Sequence, residues 1–261
     1  MEVIIRKDPA AAAALVARLA ARELRAKPSL VLGLATGRTM ELVYAELGRM
    51  HREERLDFSL CRTFNLDEYV GLGPGHPNSY RRFMAAHLFD RVNIDPRNTH
   101  LPDGLAGDLP RESERYERLI RECGGIDMQL LGIGIAGHIG FNEPLSALRS
   151  RTREKALTPT TLKQNAALFD DPAAQPARGI TMGVGTILES RYCVLLATGR
   201  EKASIVARAV EGPITAMVSA SALQLHPRCR VVVDEAAAAE LQGVEYYRWI
   251  FENEPEWAEF R

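Results

Sequence analysis

The chain contains 261 residues, of which 46% are hydrophobic and 26% are charged, a composition typical of a globular protein. Lysine and arginine number 33 and aspartate and glutamate 34, so the formal net charge of −1 gives no global field that would attract nucleic acid or an acidic membrane. No stretch of about 18 apolar residues is present, and the N-terminal segment lacks the apolar core of a signal peptide. We therefore expect a cytoplasmic protein with neither a nucleic-acid nor a membrane partner.

The four cysteines, Cys61, Cys123, Cys193 and Cys229, show no CxxC spacing. The sequence therefore predicts neither a metal site nor a disulfide framework. Cys61, Cys193 and Cys229 lie at or near the start of an apolar run, which favours buried thiols.

Apolar, β-branched runs alternate with helical patterns along the chain. Predicted strands occupy residues 3–5, 30–34, 63–66, 128–133, 192–197 and 230–233, and predicted helices occupy residues 9–26, 41–50, 113–122, 202–210 and 235–241. Such alternation is typical of parallel βαβ units. No composition shift or repeat divides the chain, so we expect one domain over residues 1–261. Residues 170–178, with two prolines and no periodicity, are the best candidate for a loop or lid.

A Thr/Gly turn follows the second predicted strand, in the sequence LGLATGRT of residues 32–39. A helix opening at about Thr39 or Met40 would point its backbone N–H groups and its positive end at an anion in this turn. The guanidinium of Arg38 would add a two-pronged phosphate contact. The GxxxxGK[ST] spacing of a Walker A loop is absent. The alternative is a tight turn with Thr39 as an ordinary N-cap.

Two acids follow the third predicted strand, in the sequence FNLDEY of residues 64–69. Asp67 and Glu68 are candidates for a catalytic base and its neighbour. The alternative is a capping acid and a surface acid, and nothing local decides between the two interpretations.

The segment LLGIGIAGHIGFNEP, residues 130–144, is the most informative in the chain. An apolar run that ends in glycine is typical of a buried parallel strand at the carboxyl edge of a sheet, where α/β folds place ligand sites. A carboxylate at Glu143 would fix the tautomer of His138 and raise its basicity, as acid–base catalysis requires. The alternative is a hydrogen-bonded core histidine. The glycines match GxGxxG, but Gly140 and Pro144 oppose the helix that a dinucleotide site needs.

The C-terminal half adds Lys202, in the first turn of a predicted helix, where its charge opposes the helix dipole. An anionic ligand nearby would explain this position, and a solvated lysine is the alternative. The basic cluster at residues 150–155 fits either an anion-binding site or a solvent-exposed surface. The clusters at residues 36–39, 67–68 and 138–143 each follow a predicted strand, so a parallel sheet would bring them to one rim.

Taken together, these motifs resemble the glucosamine-6-phosphate deaminase (isomerase) family, which shares its fold with the 6-phosphogluconolactonases. The resemblance covers nearly the whole chain, through LGLATGRT, FNLDEYVGL, HPNSYRRFM, GHIGFNEP, SRTREKALT, GITMGVGTIL, ATGREKA and LQLHP. FNLDEY combined with GHIGFNEP is the most specific part. The family's fold implies a modified Rossmann-like three-layer α/β/α sandwich with a mostly parallel central sheet, in agreement with the alternation of strands and helices.

The resemblance implies roles in acid–base chemistry for three residues. Asp67 would take the C2 proton of an amino-sugar phosphate and pass it to C1, His138 would open the sugar ring, and Glu143 would orient His138. Glucosamine 6-phosphate, or its galacto epimer, would give a ketose 6-phosphate and ammonia with no cofactor. Enolisation next to an imine or carbonyl does need a placed carboxylate base.

The resemblance also implies a binding site. Thr36, Gly37 and Thr39 would hold the 6-phosphate together with Lys202. Glu68 and Gly137 would lie in the pocket, Arg38 is added as a phosphate contact from the loop sequence, and a lid is expected over about residues 145–178.

The chain departs from the family pattern at three places. Ala136 stands where the family usually has Asp or Asn, and in members with Asp this acid belongs to the acid–base unit of the histidine. The phosphate loop reads TGRTM rather than TGGTP or TGSTP, and Ala167 replaces an expected arginine. Losing that arginine while gaining Arg38 leads to the hypothesis that the positive charge has been relocated to the loop.

Some members of the family bind an acetylated-sugar activator through a serine, an arginine and a lysine, matched here by Ser146, Arg153 and Lys155. Ala156 replaces a neighbouring threonine, so the match is incomplete. Family members range from monomer to hexamer, so a homo-oligomer is an open expectation.

Two alternative functions were weighed. One is another sugar-phosphate isomerase or a lactonase-like hydrolase, although the lactonase motif GxDGHTASLFP differs from GHIGFNEP. The other is a non-catalytic sugar-phosphate sensor, kept open by Ala136 and Ala167.

Overall fold

The computed structural model of the chain describes residues 1–169, 171 and 174–261. The strands are β1 (Glu2–Arg6), β2 (Val31–Leu34), β3 (Arg62–Asn65), β4 (Asp67–Tyr69), β5 (Thr99–His100), β6 (Met128–Leu131), β7 (Arg153–Ala156), β8 (Arg178–Thr181), β9 (Cys193–Ala197) and β10 (Cys229–Asp234). The helices are α1 (Pro9–Ala26), α2 (Arg38–Glu54), α3 (Tyr80–His87), α4 (Leu109–Glu122), α5 (Pro159–Asn165), α6 (Val184–Leu188), α7 (Ala203–Val210) and α8 (Val244–Asn253).

The central sheet is parallel throughout, in the order β1-β10-β9-β6-β2-β3-β5. From β2 the chain continues outward through β3 and β5, whereas from β6 it continues through β9 and β10 in the opposite direction. The strand order therefore reverses between β6 and β2, and such a switch point opens a crevice at the carboxyl ends of the strands. The prediction of an α/β fold with a mostly parallel sheet is confirmed.

A second, antiparallel sheet in the order β4-β8-β7 lies after the carboxyl end of β3. Its strands are too short to produce a clear alternation in the sequence. A small apolar cluster that includes Tyr69, Phe141 and Phe169 is separate from the main core around the central sheet. This small sheet and its cluster support one side of the crevice.

The predicted strands agree with the structure to within a residue or two, and β6 ends at Leu131 rather than at residue 133. Helix α1 spans the predicted residues because Asp8 accepts a hydrogen bond from the backbone N–H of Ala11 at 2.7 Å and Pro9 occupies the first turn. The prediction of buried thiols is confirmed, since Cys61, Cys193 and Cys229 are buried and unpaired.

The predicted helix at residues 235–241 is wrong, because these residues form turns. The carboxylate of Asp234 accepts hydrogen bonds from Ala237 N at 2.8 Å and from Gly199 N at 3.1 Å. It therefore fixes a turn at the end of β10 and ties this turn to the loop after β9. In the described part of the chain, no helix combines the length and apolarity that a membrane crossing requires.

Candidate active site

The central strands bring the predicted clusters to one edge of the sheet. β9, β6, β2 and β3 are consecutive neighbours. Their carboxyl ends lead into the loops that carry Lys202, His138, Thr36 and Asp67. The three clusters that each follow a predicted strand thus lie along one edge, beside the switch point.

Asp67 is the first residue of β4 and is only 5% exposed. Burial and the neighbouring charge of Glu68 raise the pKa of Asp67 to about 8, although the backbone N–H of Phe141 opposes the shift. A buried carboxyl that titrates near neutral pH is suited to proton transfer. Asp67 is therefore the strongest candidate for the base.

Glu68 points to the other face of β4, because side chains alternate along a strand. Its carboxylate accepts hydrogen bonds from the backbone N–H groups of Tyr80 at 2.9 Å and Arg81 at 3.0 Å, the first residues of α3. It also accepts one from Tyr69 N at 2.9 Å. These contacts make Glu68 an anchor for the start of α3, and because it is buried, its interpretation as a surface acid is wrong.

His138 and Glu143 form the expected pair. Nδ1 of His138 lies 3.3 Å from Oε2 of Glu143, and the two side chains are 10% and 1% exposed. The two atoms do not meet hydrogen-bond geometry, and the contact is an ion pair only when the imidazole is protonated. Burial raises the pKa of Glu143, but the contacts with His138, Thr161 and the backbone N–H of Thr158 outweigh it and bring the pKa to about 2. Glu143 is thus held as a carboxylate facing the imidazole.

Two glycines of the loop make room for the acid–base groups. A Cβ on Gly134 would lie 2.1 Å from Nε2 of His138. Gly140 has φ +55°, and a Cβ there would approach Oδ2 of Asp67 to 3.2 Å. Gly134 and Gly140 therefore leave the space that the side chains of His138 and Asp67 occupy. Gly137, with φ +85°, forms the turn immediately before His138.

The buried amide of Asn142 fastens the loop between His138 and Glu143. Its Nδ2 donates to the carbonyl oxygens of Ile139 at 2.9 Å and Met182 at 2.8 Å, and its Oδ1 accepts from Nη1 of Arg153 at 2.9 Å. The amide thus uses both donor and acceptor capacity to hold the His138–Glu143 loop against the chain after β8.

The turn after β2 leads directly into α2, which begins at Arg38. Gly37, with φ +109°, is the N-cap and provides no side-chain hydrogen bond, so the interpretation of Thr39 as the cap is wrong. Arg38 is exposed, and Thr36 is half-buried in contact with the hydroxyl of Tyr80. The helix start and the cationic side chain fit an anion bound in this turn.

Lys202 ends a short 3-10 turn, Arg200–Lys202, before α7. Its Nζ donates to the carbonyl oxygen of Ile133 at 2.8 Å, and burial lowers its pKa. The interpretation of Lys202 as a solvated lysine is therefore wrong. Its ammonium instead donates to a backbone carbonyl of the loop that carries His138.

The residues matched to an activator site lie on two segments, β7 and the loop just after Glu143. Arg153 and Lys155 share one face of β7, whereas Ser146 is buried and its Oγ has no hydrogen-bond partner among the described residues. The expected lid contains β7 and α5, with an exposed Ala167 after the helix. Of the loop predicted at residues 170–178, residues 170, 172 and 173 lie outside the described part of the chain.

A cavity of about 700 Å³ opens on another face, between α4 and the start of β7. Arg118, Arg121, Arg151 and Arg153 line it together with three glutamates. It contains none of the acid–base groups at the sheet edge. Among the described residues, no group of three or more His, Cys, Asp or Glu side chains has the arrangement of a metal site.

Sequence reasoning missed several residues that shape the site. Thr158 donates to Glu143, and Tyr69 accepts a hydrogen bond from Asn165 at 2.9 Å and packs against Tyr80 with ring centroids 5.0 Å apart. The Thr158–Pro159 dipeptide is a helix-start signal that could have revealed α5. The contacts of the two tyrosines carry no such local signal.

Comparisons with known proteins agree with the site. Residues 8–232 match the family described as glucosamine-6-phosphate isomerases/6-phosphogluconolactonase. Glucosamine-6-phosphate deaminase from Hahella chejuensis is 51% identical, over 96% of this chain and 95% of its own length. The enzyme of the same name from Rhodococcus opacus is 48% identical over the full length of both chains.

Solved structures show the same fold. A monomeric glucosamine-6-phosphate deaminase is 41% identical, with a TM-score of 0.90 over 92% of this chain and all of that chain. A 6-phosphogluconolactonase from Trypanosoma cruzi has a TM-score of 0.75 at 18% identity, covering 92% of this chain and 97% of that one, a likeness of fold alone. The chain belongs to the family of glucosamine-6-phosphate isomerases and 6-phosphogluconolactonases, and its relatives near 50% identity are deaminases.

Proposed function

We propose that this protein converts glucosamine 6-phosphate and one water into fructose 6-phosphate and ammonia. The observation that carries the proposal is that Asp67, buried with a pKa of about 8, lies at the same sheet edge as the His138–Glu143 pair. The reaction needs one group for ring opening and another for proton transfer between carbons. The names of the relatives near 50% identity support the gluco substrate.

Ring opening is the step assigned to His138. Its imidazole takes the proton of the C1 hydroxyl and returns a proton to the ring oxygen as the C1–O5 bond breaks, which leaves an aldehyde at C1. Ionised Glu143 favours a proton on Nδ1, so Nε2 is the nitrogen that exchanges protons with the sugar. Ala136 supplies no carboxyl group, so in this chain the step depends on His138, Glu143 and water.

Proton transfer between C2 and C1 is the step assigned to Asp67. Its carboxylate takes the C2 proton, the C–H electrons form the C1=C2 bond, and the carbonyl electrons of C1 move to its oxygen. That oxygen takes one proton from the substrate ammonium, which gives a neutral enolamine. Asp67, whose proton can exchange with water while the enolamine exists, then delivers a proton to C1, which leaves an imine at C2. Water adds to the imine carbon, ammonia leaves with the nitrogen, and the C2 ketone remains. A single placed carboxylate suffices because the two carbons are adjacent.

The phosphate end of the substrate is assigned to the turn after β2. Thr36, Gly37, Arg38 and Thr39 would hold the 6-phosphate, with Lys202 approaching from the loop after β9. The exposed cation at the first residue of α2 and the positive end of that helix support this placement. We assign Gly137 to the substrate pocket as the turn that presents His138, and Glu68 to support of β4 and α3.

Three further properties belong to the same proposal. A cytoplasmic location follows from the metabolic substrate. The activator role of Ser146, Arg153 and Lys155 stays a prediction. Subunit number also stays a prediction, and a monomer would match the 41% identical deaminase, which is described as monomeric.

The direct test is ammonia release from purified protein, with glucosamine 6-phosphate and galactosamine 6-phosphate assayed in parallel. We expect release from the gluco substrate and a much slower release from the galacto epimer. Faster turnover of the galacto epimer would correct the substrate. If folded protein that still binds fructose 6-phosphate releases ammonia from neither substrate, the deaminase proposal is overturned.

A further inference from the structure

Thr158 holds the carboxylate of Glu143 through two hydrogen bonds. Its backbone N–H donates to Oε1 at 3.1 Å, and its hydroxyl donates to Oε2 at 3.2 Å. Oε2 is also the oxygen that faces Nδ1 of His138 at 3.3 Å. Glu143 is 1% exposed, so these donors, together with the side chain of Thr161, take the place of water around it. One carboxylate oxygen is therefore shared between the Thr158 hydroxyl and the imidazole.

The same hydroxyl caps α5. Its oxygen accepts a hydrogen bond from the backbone N–H of Thr161 at 3.3 Å, while Pro159 at the first helical position has no N–H to satisfy. A hydroxyl has one proton and two lone pairs. Oγ1 of Thr161 also lies 3.2 Å from the Thr158 hydroxyl, but it carries its own proton and can act as the donor, which leaves the Thr158 proton for Glu143. Thr158 thus links the start of the lid helix to the acid–base pair.

We propose that Thr158 is a positioning residue, whose hydroxyl aims Oε2 of Glu143 at Nδ1 of His138 and so keeps Nε2 free to exchange protons with the sugar. The proposal rests on the function proposed above. The contact between Oε2 and Nδ1 has poor hydrogen-bond angles in this structure, so a small rotation of the carboxylate would break it. The neighbouring hydroxyl limits that rotation, and the backbone N–H holds the other oxygen.

The test compares Thr158→Val, which keeps the side-chain shape and loses the hydroxyl, with Thr158→Ser, which keeps the hydroxyl. Thr160→Val is the matched control, since Thr160 is exposed in the same helix. We expect Thr158→Val to lower kcat about tenfold or more, part of the 10²–10⁴-fold that acid–base catalysis contributes, while KM changes less than about twofold. Thr158→Ser and Thr160→Val should stay within about threefold of the parent.

Equal losses in the Val and Ser variants, or a loss confined to KM, would overturn the positioning role. Nitrogen-15 NMR of His138 gives a second measurement that needs no turnover. An ammonia assay without product would therefore contradict the proposed function, while the NMR measurement would still test the role of Thr158. We expect the Nδ1–H tautomer in the parent and a tautomer mixture in Thr158→Val. The same tautomer in both proteins would refute the proposal.

Discussion

The protonation state of Asp67 controls when this residue can act as a base. Burial beside Glu68 raises its pKa to about 8, so the free protein must lose this proton before it can abstract one from C2. We expect kcat/KM for ammonia release to rise with pH up to about 8. The substrate amine, as an ammonium, would stabilise the carboxylate, so the corresponding limb of kcat should lie at lower pH. A kcat/KM that falls between pH 6 and 8 would contradict this assignment.

The place of the imidazole depends on Gly134. A Cβ there would lie 2.1 Å from Nε2 of His138, so Gly134→Ala must displace the ring. We expect kcat to fall about 100-fold, within the range of a lost acid–base group, while the fold persists. Gly132→Ala is the control, because a Cβ at Gly132 meets nothing within 4 Å. Similar kinetics for the two variants would show that the space at Gly134 does not determine the position of the imidazole.

The variant Arg38→Ala tests the hypothesis that the positive charge lost at Ala167 has been relocated to the turn after β2. A cation in the first turn of α2 opposes the helix dipole, and a bound phosphate would remove that penalty. We expect Arg38→Ala to raise KM for glucosamine 6-phosphate about tenfold, since a charged hydrogen bond contributes about 1.5–3 kcal/mol. Arg52→Ala, an exposed arginine near the other end of the same helix, should leave KM unchanged. An unchanged KM in Arg38→Ala would refute the relocation.

At the scale of elements, Glu68 joins β4 to the start of α3. Its carboxylate accepts three backbone N–H groups, and an amide would present an NH₂ to at least one of them. We expect Glu68→Gln to lower the free energy of unfolding by about 1–3 kcal/mol. Glu154→Gln is the control, since Glu154 makes only a partly exposed pair with Arg178 in the same small sheet. Denaturant unfolding curves compare the two variants, and equal stability would contradict the anchoring role.

Long periodic elements could be predicted from the sequence, whereas short ones could not. Helix α1 has a capping Asp8 and a continuous Ala/Leu face, and the parallel strands are continuous apolar runs. β4 has three residues and α5 seven, too few for a period to emerge. The small sheet that carries Asp67 could therefore not be predicted from the sequence.

The sequence predicts the candidate site as a set of motifs with one internal contact, the pair His138–Glu143. The other contacts within the site could not be predicted. The spacing of His138 and Glu143 indicated their pairing, because both lie in one short loop. The orientation of Glu68 depends on which face of β4 meets α3, and the contact of Thr158 with Glu143 joins segments 15 residues apart. Such details depend on tertiary packing, which local patterns do not encode.

At the scale of the whole molecule, the reversal of strand order between β6 and β2 explains why distant motifs meet. Because both strands are parallel, both of their following loops emerge at the carboxyl edge. The turn proposed to bind the phosphate follows β2, and the loop with His138 and Glu143 follows β6, while Asp67 follows the next strand, β3. A sugar phosphate lying across this edge would reach all three.

The most direct test of this account is hydrogen exchange at C2 of glucosamine 6-phosphate in deuterated water, followed by proton NMR for the parent and Asp67→Asn. The asparagine keeps the size of the side chain and removes the base. With the parent we expect loss of the C2 proton signal from unreacted substrate and deuterium at C1 of the product. With Asp67→Asn we expect no exchange, although calorimetry finds binding of fructose 6-phosphate, which has no amine, within about threefold of the parent. Exchange that persists in Asp67→Asn would contradict the assignment of the base and, with it, the account of the site.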